Sequence, residues 1–215
     1  MTVVTEGIFL SRLQTDPELA GVSAVLFDEV HERSLDGDFG LALALDAQGG
    51  LRPDLRLVAM SATLDGERLA RFLDAPRLSS EGRSHAVEIA HLSARRDEPM
   101  EVQARRAIEH VLARHPGDVL VFLPGQREIA RVGAGLATAA LPAGTEVLAL
   151  HGELPVEQQA RVLQPASDGA RRVVLATNVA ESSVTLPGVR IVVDSGLARE
   201  PRFDPNSGFS RLEVV

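Results

Sequence analysis

The feature that most constrains this chain is a repeating order in which short apolar runs of strand length alternate with segments of helical period. VSAVLF (22–27), LRLVAMS (55–61), HAVEIAHL (85–92), DVLVFLP (118–124), TEVLALH (145–151), RRVVLAT (171–177) and VRIVVDS (189–195) are the runs, and Met1–Thr5 is a further strand candidate. Between them, Met100, Ala104, Ala107, Ile108, Val111 and Leu112 line one face of a segment that stops at Pro116-Gly117. Ile129, Val132, Leu136 and Ala137 do the same after Pro124-Gly125. That spacing predicts amphipathic helices. Strands rich in Val, Ile and Leu with helices between them predict an α/β fold with a parallel sheet covered on both faces.

The rhythm breaks at 74–99, where DAPRLSSEGRS and SARRDEP are polar, charged and marked by Gly and Pro. Such composition reads as a linker. Three strand candidates precede it and five follow. The expected organisation is therefore two domains, 1–82 and 83–215, the first short for an α/β sheet, as if its beginning were missing. The 215 residues contain no cysteine, which excludes disulfides and thiolate metal sites. No run approaches a membrane span, and MTVVTEGIF lacks the pattern of a signal peptide, so a cytoplasmic protein is expected. With a net charge of −8, nothing in the composition advertises a basic nucleic-acid arm. All 22 basic residues are arginine, which forbids any mechanism that needs a lysine of this chain.

VSAVLFDEVHERS (22–34) poses the functional question, because a buried strand ends in Asp28, Glu29 and, two residues on, His31. In open α/β sheets ligands bind at the carboxyl ends of the strands. A strand ending in Asp-Glu suits a nucleotide site in which the first acid holds Mg²⁺ and the second orients or deprotonates the attacking water. The same acids suit the start of a helix, whose dipole favours them. Ser61 and Thr63 end the next strand, where they could equally be helix caps, and the hydroxyl-rich run 177–185 could be a polar loop. Arg95-Arg96, Arg105-Arg106 and Arg171-Arg172 read as solvated faces. His85, His91, His110, His115 and His151 show no metal-ligand spacing.

Taken together and in order, these segments resemble the DEAH-box helicases of superfamily 2. DEVH at 28–31 and SAT at 61–63 resemble motifs II and III, and TEG at 5–7 resembles motif Ib. VLVFLPGQREI (119–129) resembles motif IV, and VVLATNVAESSVTLPGVRIVVDSGLAR (173–199) resembles motif V and the strand after it. SEGRS in the linker and RFDPNSGFSRLE near the end are more similar to the bacterial HrpB-type helicases than to the splicing type. The resemblance implies two RecA-like lobes with ATP between them and RNA across their tops. It implies that Asp28 and Glu29 serve Mg²⁺ and the hydrolytic water, and that His31, Ser61 and Thr63 couple nucleotide to nucleic acid. It places Thr5, Glu6, Gly7, Thr177, Asn178 and Thr185 along the bound strand and Glu181 and Ser183 at the nucleotide. Hydroxyls and backbone N–H groups hold phosphates without reading sequence, which lets an acidic protein bind any single strand.

The departures are as informative. A P-loop needs a lysine that reaches the β- and γ-phosphates, and this chain has none. Motif VI, with its arginine finger, is absent before Val215. Pro187 stands where many relatives carry an acid near the ribose, and Leu163 where many carry an aromatic that stacks on adenine. The expectation is an ATP-dependent RNA helicase core that is incomplete and turns over little ATP by itself. The alternative is a degenerate helicase fold serving as a binding module for nucleic acid or protein.

Overall fold

A computed structural model of the chain describes residues 1–61, 66–80, 85–93, 95, 97–166, 169–180, 185–205 and 208–215. They form two compact units, Met1–Ala86 and Val87–Val215.

The first unit runs α1 (Glu6–Thr15), β1 (Ala24–Phe27), a 3₁₀ turn (Val30–Glu32), α2 (Leu35–Gly50), β2 (Arg56–Ala59) and α3 (Gly66–Leu73). β1 and β2 are parallel, in register from Ala24↔Arg56 to Phe27↔Ala59, with α2 as the crossover. Leu13, Leu19 and Leu55 are buried beneath Phe9, Val22, Val25, Leu43 and Leu57. The Phe9 and Phe27 rings meet edge to face at 5.5 Å, the geometry their quadrupoles favour. Arg52 fastens the loops below the strands: its guanidinium donates to the carbonyls of Glu18 (2.7 Å), Leu19 (3.1 Å) and Val22 (2.9 Å) while pairing with Asp54.

The second unit contains α4 (Met100–Arg114), β3 (Asp118–Phe122), α5 (Gln126–Ala137), β4 (Thr145–Leu150), α6 (Val156–Leu163), β5 (Arg171–Ala176) and β6 (Val189–Asp194). The four strands are all parallel in the order β4-β5-β3-β6. Alternate residues of β3 and β5 enter two different cores. Val119, Val121, Val173 and Leu175 pack with Ile108 and Leu112 of α4 and Ile129, Val132 and Leu136 of α5. Leu120, Val174 and Ala176 pack with Val162 of α6 and Leu186. Since successive strand residues face opposite sides, the sheet is covered on both faces, as its unbroken apolar runs require. β7 (Arg199–Asp204) and β8 (Phe209–Val214) form an antiparallel hairpin.

Four expectations need correction. Residues 1–5 form no strand; Thr5 is instead the N-cap of α1, its hydroxyl accepting from the Ile8 N–H at 3.5 Å. Residues 85–92 alternate like a strand but pair with no described strand, and Val87 and Ile89 are exposed. Periodicity marks a half-buried strand only where a neighbour supplies the ladder. The hairpin escaped the reading, although the Asp-Pro-Asn-Ser-Gly cluster at 204–208 is a turn signal between two strand-like runs. Finally, Arg171-Arg172 is no solvated face. Arg172 is 2% exposed, and its Nε donates to Asp118 Oδ2 at 2.7 Å while Asp118 Oδ1 accepts from the Arg172 N–H at 2.9 Å. Its two terminal nitrogens donate to the carbonyls of Val162, Gln164 and Pro187. Arg171 donates to the carbonyls of Gly117, Leu112 and His115, which closes the carboxyl end of α4. A buried guanidinium is tolerated because nearly every donor has a partner.

Candidate nucleotide and nucleic-acid site

In the first unit the chain turns sharply after β1. Met60 N–H donates to the Phe27 carbonyl (2.8 Å) and Val30 N–H to the Met60 carbonyl (3.1 Å), which seats Asp28 and Glu29 beside Ser61 at the carboxyl edge of the β1–β2 pair. Neither acid caps α2, and Glu29, which precedes the 3₁₀ turn, makes no side-chain cap bond to it. α2 has its own N-cap in Ser34, whose hydroxyl accepts from Gly37 N–H at 3.1 Å. Asp28 Oδ1 accepts the N–H of Glu29 at 2.9 Å, and its carboxylate is exposed. Glu29 is held at φ 50°, in the left-handed region that only glycine and a few short polar residues visit readily. Its carboxylate lies 3.3 Å from His31 Nδ1, with both side chains about a quarter exposed. His31 Nδ1 has no hydrogen-bond partner among the described residues, so the imidazole edge faces the acid at close range without being locked to it.

His31 and Ser61 also line a cavity of about 800 Å³ whose walls include Arg33, Leu41, Arg68 and Phe72. Asp28 and Glu29 are not in its lining. Thr5, Glu6 and Gly7 enter the picture from α1: Glu6 Oε1 accepts the hydroxyl hydrogen of Ser34 at 2.7 Å. That bond ties the TEG segment to the stretch that follows DEVH. Thr63 falls outside the described residues.

Magnesium requires hard oxygen ligands and completes its shell with waters and phosphates. Asp28 and Glu29 offer such oxygens on an exposed edge, and the donor chemistry fits. Among the described residues there is no group of three or more His, Cys, Asp or Glu able to hold a metal unaided.

In the second unit the carboxyl ends of all four strands are level. Leu150 pairs with Ala176, Ala176 with Phe122, and Phe122 with Asp194. Thr177 follows β5, its N–H donating to the Leu150 carbonyl at 3.3 Å, and the 3₁₀ turn Asn178–Ala180 leaves Asn178 exposed. Thr185 is exposed, shortly before β6 begins at Val189. Glu181 and Ser183 lie outside the described residues. Leu163 sits half-exposed at the last turn of α6, and Pro187 contributes its carbonyl to Arg172. Sequence reasoning passed over Glu128 and Arg199, which pair at 3.3 Å beside Gly125 at the start of α5. No local pattern marks two residues 71 positions apart.

Comparison with known proteins gives these positions a context. Residues 103–207 match the helicase conserved C-terminal domain. The chain contains a helicase C-terminal domain. It is 46% identical, over 99% of its length, to the ATP-dependent RNA helicase HrpB of Escherichia coli (strain K12), and 36% identical to the pre-mRNA-splicing factor ATP-dependent RNA helicase prp22 of Schizosaccharomyces pombe. Its fold matches the crystal structure of E. coli DEAH/RHA helicase HrpB with a TM-score of 0.92 at 45% identity over 99% of the chain. It matches that of E. coli DExH-box NTPase HrpB at 0.86. The parallel-sheet α/β fold is thus that of the helicase C-terminal, RecA-like lobe. The chain spans 26% and 19% of the two relatives' lengths and 27% and 26% of the two crystallised chains. Both relatives are described as ATP-dependent.

Proposed function

We propose that this chain works as part of an ATP-dependent RNA helicase. In this reading residues 1–82 carry the water-activating acids of a first RecA-like lobe, and 83–215 carry the strand-binding and nucleotide-facing loop of a second. The observation that carries the reading is the β1–β2 register, which brings Asp28, Glu29 and His31 to the same edge as Ser61.

Asp28 and Glu29 would hold Mg²⁺, and the Mg²⁺–ATP complex would supply the phosphoryl group and neutralise charge on its oxygens. Glu29 is placed to orient the attacking water and accept its proton at a carboxylate oxygen. The His31 ring, 3.3 Å away, would tune and aim that carboxylate. Ser61, with Thr63, would relay the nucleotide state. Thr5, Glu6 and Gly7 would contact RNA, as would Thr177, Asn178 and Thr185, with Glu181 and Ser183 toward the nucleotide. The identity of 46% over 99% of the chain to an ATP-dependent RNA helicase supports the helicase reading as a whole.

The test is binding of a mixed-sequence single-stranded RNA, followed by fluorescence anisotropy. Few phosphate contacts on a chain of net charge −8 predict weak, sequence-independent affinity and a log–log salt slope of only about −2. Absence of binding at low salt would sink the proposal. The same preparation is expected to hydrolyse ATP at background rate, because the phosphate-binding lysine is missing from the sequence. RNA-stimulated hydrolysis abolished by Glu29→Gln would overturn that expectation.

A second reading, a binding module without turnover, is favoured by one observation: Leu26, Val58 and Met60 leave an exposed apolar strip on the β1–β2 pair. A fluorescent ATP analogue separates the two. Magnesium-dependent binding lost in Asp28→Asn supports the helicase assignment, and no binding under any condition supports the module.

A further inference from the structure

Helix α3 sets Leu69, Phe72 and Leu73 along one side and Glu67, Arg68 and Arg71 along the other. A helix so divided is built to close on a neighbour, yet none of its residues is buried. Leu69 and Phe72 instead stand off from α2 and form, with Leu41 and Val30, the apolar walls of the cavity of about 800 Å³ in the first unit. Leu41 is buried, whereas the Phe72 side is left 70% exposed. Such a volume, mostly apolar with a few polar groups, has the dimensions of a small-molecule site.

Arg33, Asp38 and Arg68 supply the charge of the lining. Asp38 is engaged by Arg33, whose Nε and a terminal nitrogen donate to Asp38 Oδ2 at 3.0 and 2.7 Å. Two guanidiniums against one carboxylate leave the described lining with one positive charge in excess, and Arg68 carries it. Part of the wall is the turn Val30–Glu32, which is bracketed by Glu29 and Arg33 at φ 50° and 55°. An occupant of the cavity would bear on that backbone.

We propose that this cavity binds a small monoanion with a flat aromatic body. The body lies against Leu41, Leu69 and Phe72, where burying apolar surface drives binding and an aromatic plane can pack offset or edge-on against the Phe72 ring. The anionic group meets Arg68, which decides the sign of the ligand. A polyanion such as a nucleic-acid strand suits the site poorly, because it would bring several charges to one uncompensated cation and an apolar wall. The inference does not rest on the helicase reading, since Asp28 and Glu29 are not in the lining.

The test is titration of the full chain with 1-anilinonaphthalene-8-sulfonate, an aromatic monoanion that fluoresces in apolar surroundings. Saturable binding of one molecule per chain is expected, with a Kd on the order of 10–100 µM for a ligand of this size. N-phenyl-1-naphthylamine, the same body without the sulfonate, serves as the neutral comparison. Arg68→Gln is expected to weaken the sulfonate about three- to five-fold and to leave the neutral compound unchanged. Leu69→Asp should weaken the sulfonate at least about ten-fold, by removing apolar wall and adding a like charge. Hydrogen exchange of the wild type saturated with the sulfonate should slow in α3. No binding at about 1 mM sulfonate, or an Arg68→Gln variant that weakens both compounds alike or neither, overturns the proposal. Protection that appears on β1 and β2, beside the exposed Leu26 and Val58, and not on α3 overturns it as well. Should Leu69→Asp unfold the first unit, the Arg68→Gln comparison and the exchange map still decide.

Discussion

The two units use the same βαβ grammar with unequal means. In the second, β3 and β5 lie between other strands and under helices on both faces, and Val119, Val121, Val173, Val174 and Ala176 are completely or almost completely buried. In the first, two strands stand alone, and their residues alternate between partial burial and exposure, with Leu26 56% exposed. A strand's apolar content therefore does not determine its burial; the width of the sheet around it does. The acids proposed for water activation, Asp28 and Glu29, stand on the thinner platform. Their geometry depends on local devices (a left-handed turn, an N-cap, an arginine clasp) more than on a deep core.

The contrast can be broken first at its strongest point. Arg172→Ala or Asp118→Ala leaves a buried charge without its partner, and about 3–5 kcal/mol of stability should be lost from the second unit. Urea denaturation, with hydrogen exchange reporting each unit separately, reads this directly. Protection in the first unit should hardly change. Next, Leu175→Ala in β5 should cost about 3 kcal/mol through lost burial and a cavity, whereas Leu26→Ala in β1 should cost less than about 0.5 kcal/mol. Equal losses would refute the claim that sheet width sets the difference. Ser34→Ala removes both the α2 cap and the bond to Glu6. A loss of about 1 kcal/mol confined to the first unit is expected in the same exchange experiment.

The smallest effect is acid sensitivity. A hydrogen bond from Arg131, then one from the backbone, holds Glu101 below its ordinary value of 4.5, and Arg52 does the same for Asp54 in the first unit. Because the folded values are depressed, this stabilisation is fully present above the unfolded carboxylate pKa and is lost as pH falls through the folded one. Melting temperatures should therefore be flat down to about pH 4.5 and fall below it. Glu101→Gln should flatten that acid limb for the second unit alone.

Much of this was legible in the sequence. The six strands β1–β6, and the apolar faces of α4 and α5, follow from runs and periods that tertiary packing reinforces. Ala137 shows the limit: it continues the helical period of α5 yet is exposed, because it lies in the last turn beyond the core. The site motifs were readable because each follows a strand end. What could not be read depended on distant partners. Nothing near Arg172 in the chain announces Asp118, 54 residues earlier. Nor can the alternation at 87–92 report that no described strand lies alongside.

The backbone at Glu29 has one more consequence. A residue with a long side chain is kept there in a conformation that glycine would adopt at ease. Selection for sturdiness and selection for chemistry pull in opposite directions at this single site. Glu29→Gly should melt no lower than the parent, having exchanged a working carboxylate for a relaxed hinge. A lineage that drifts to glycine here loses the carboxylate proposed to orient water, with no penalty in folding to reveal it.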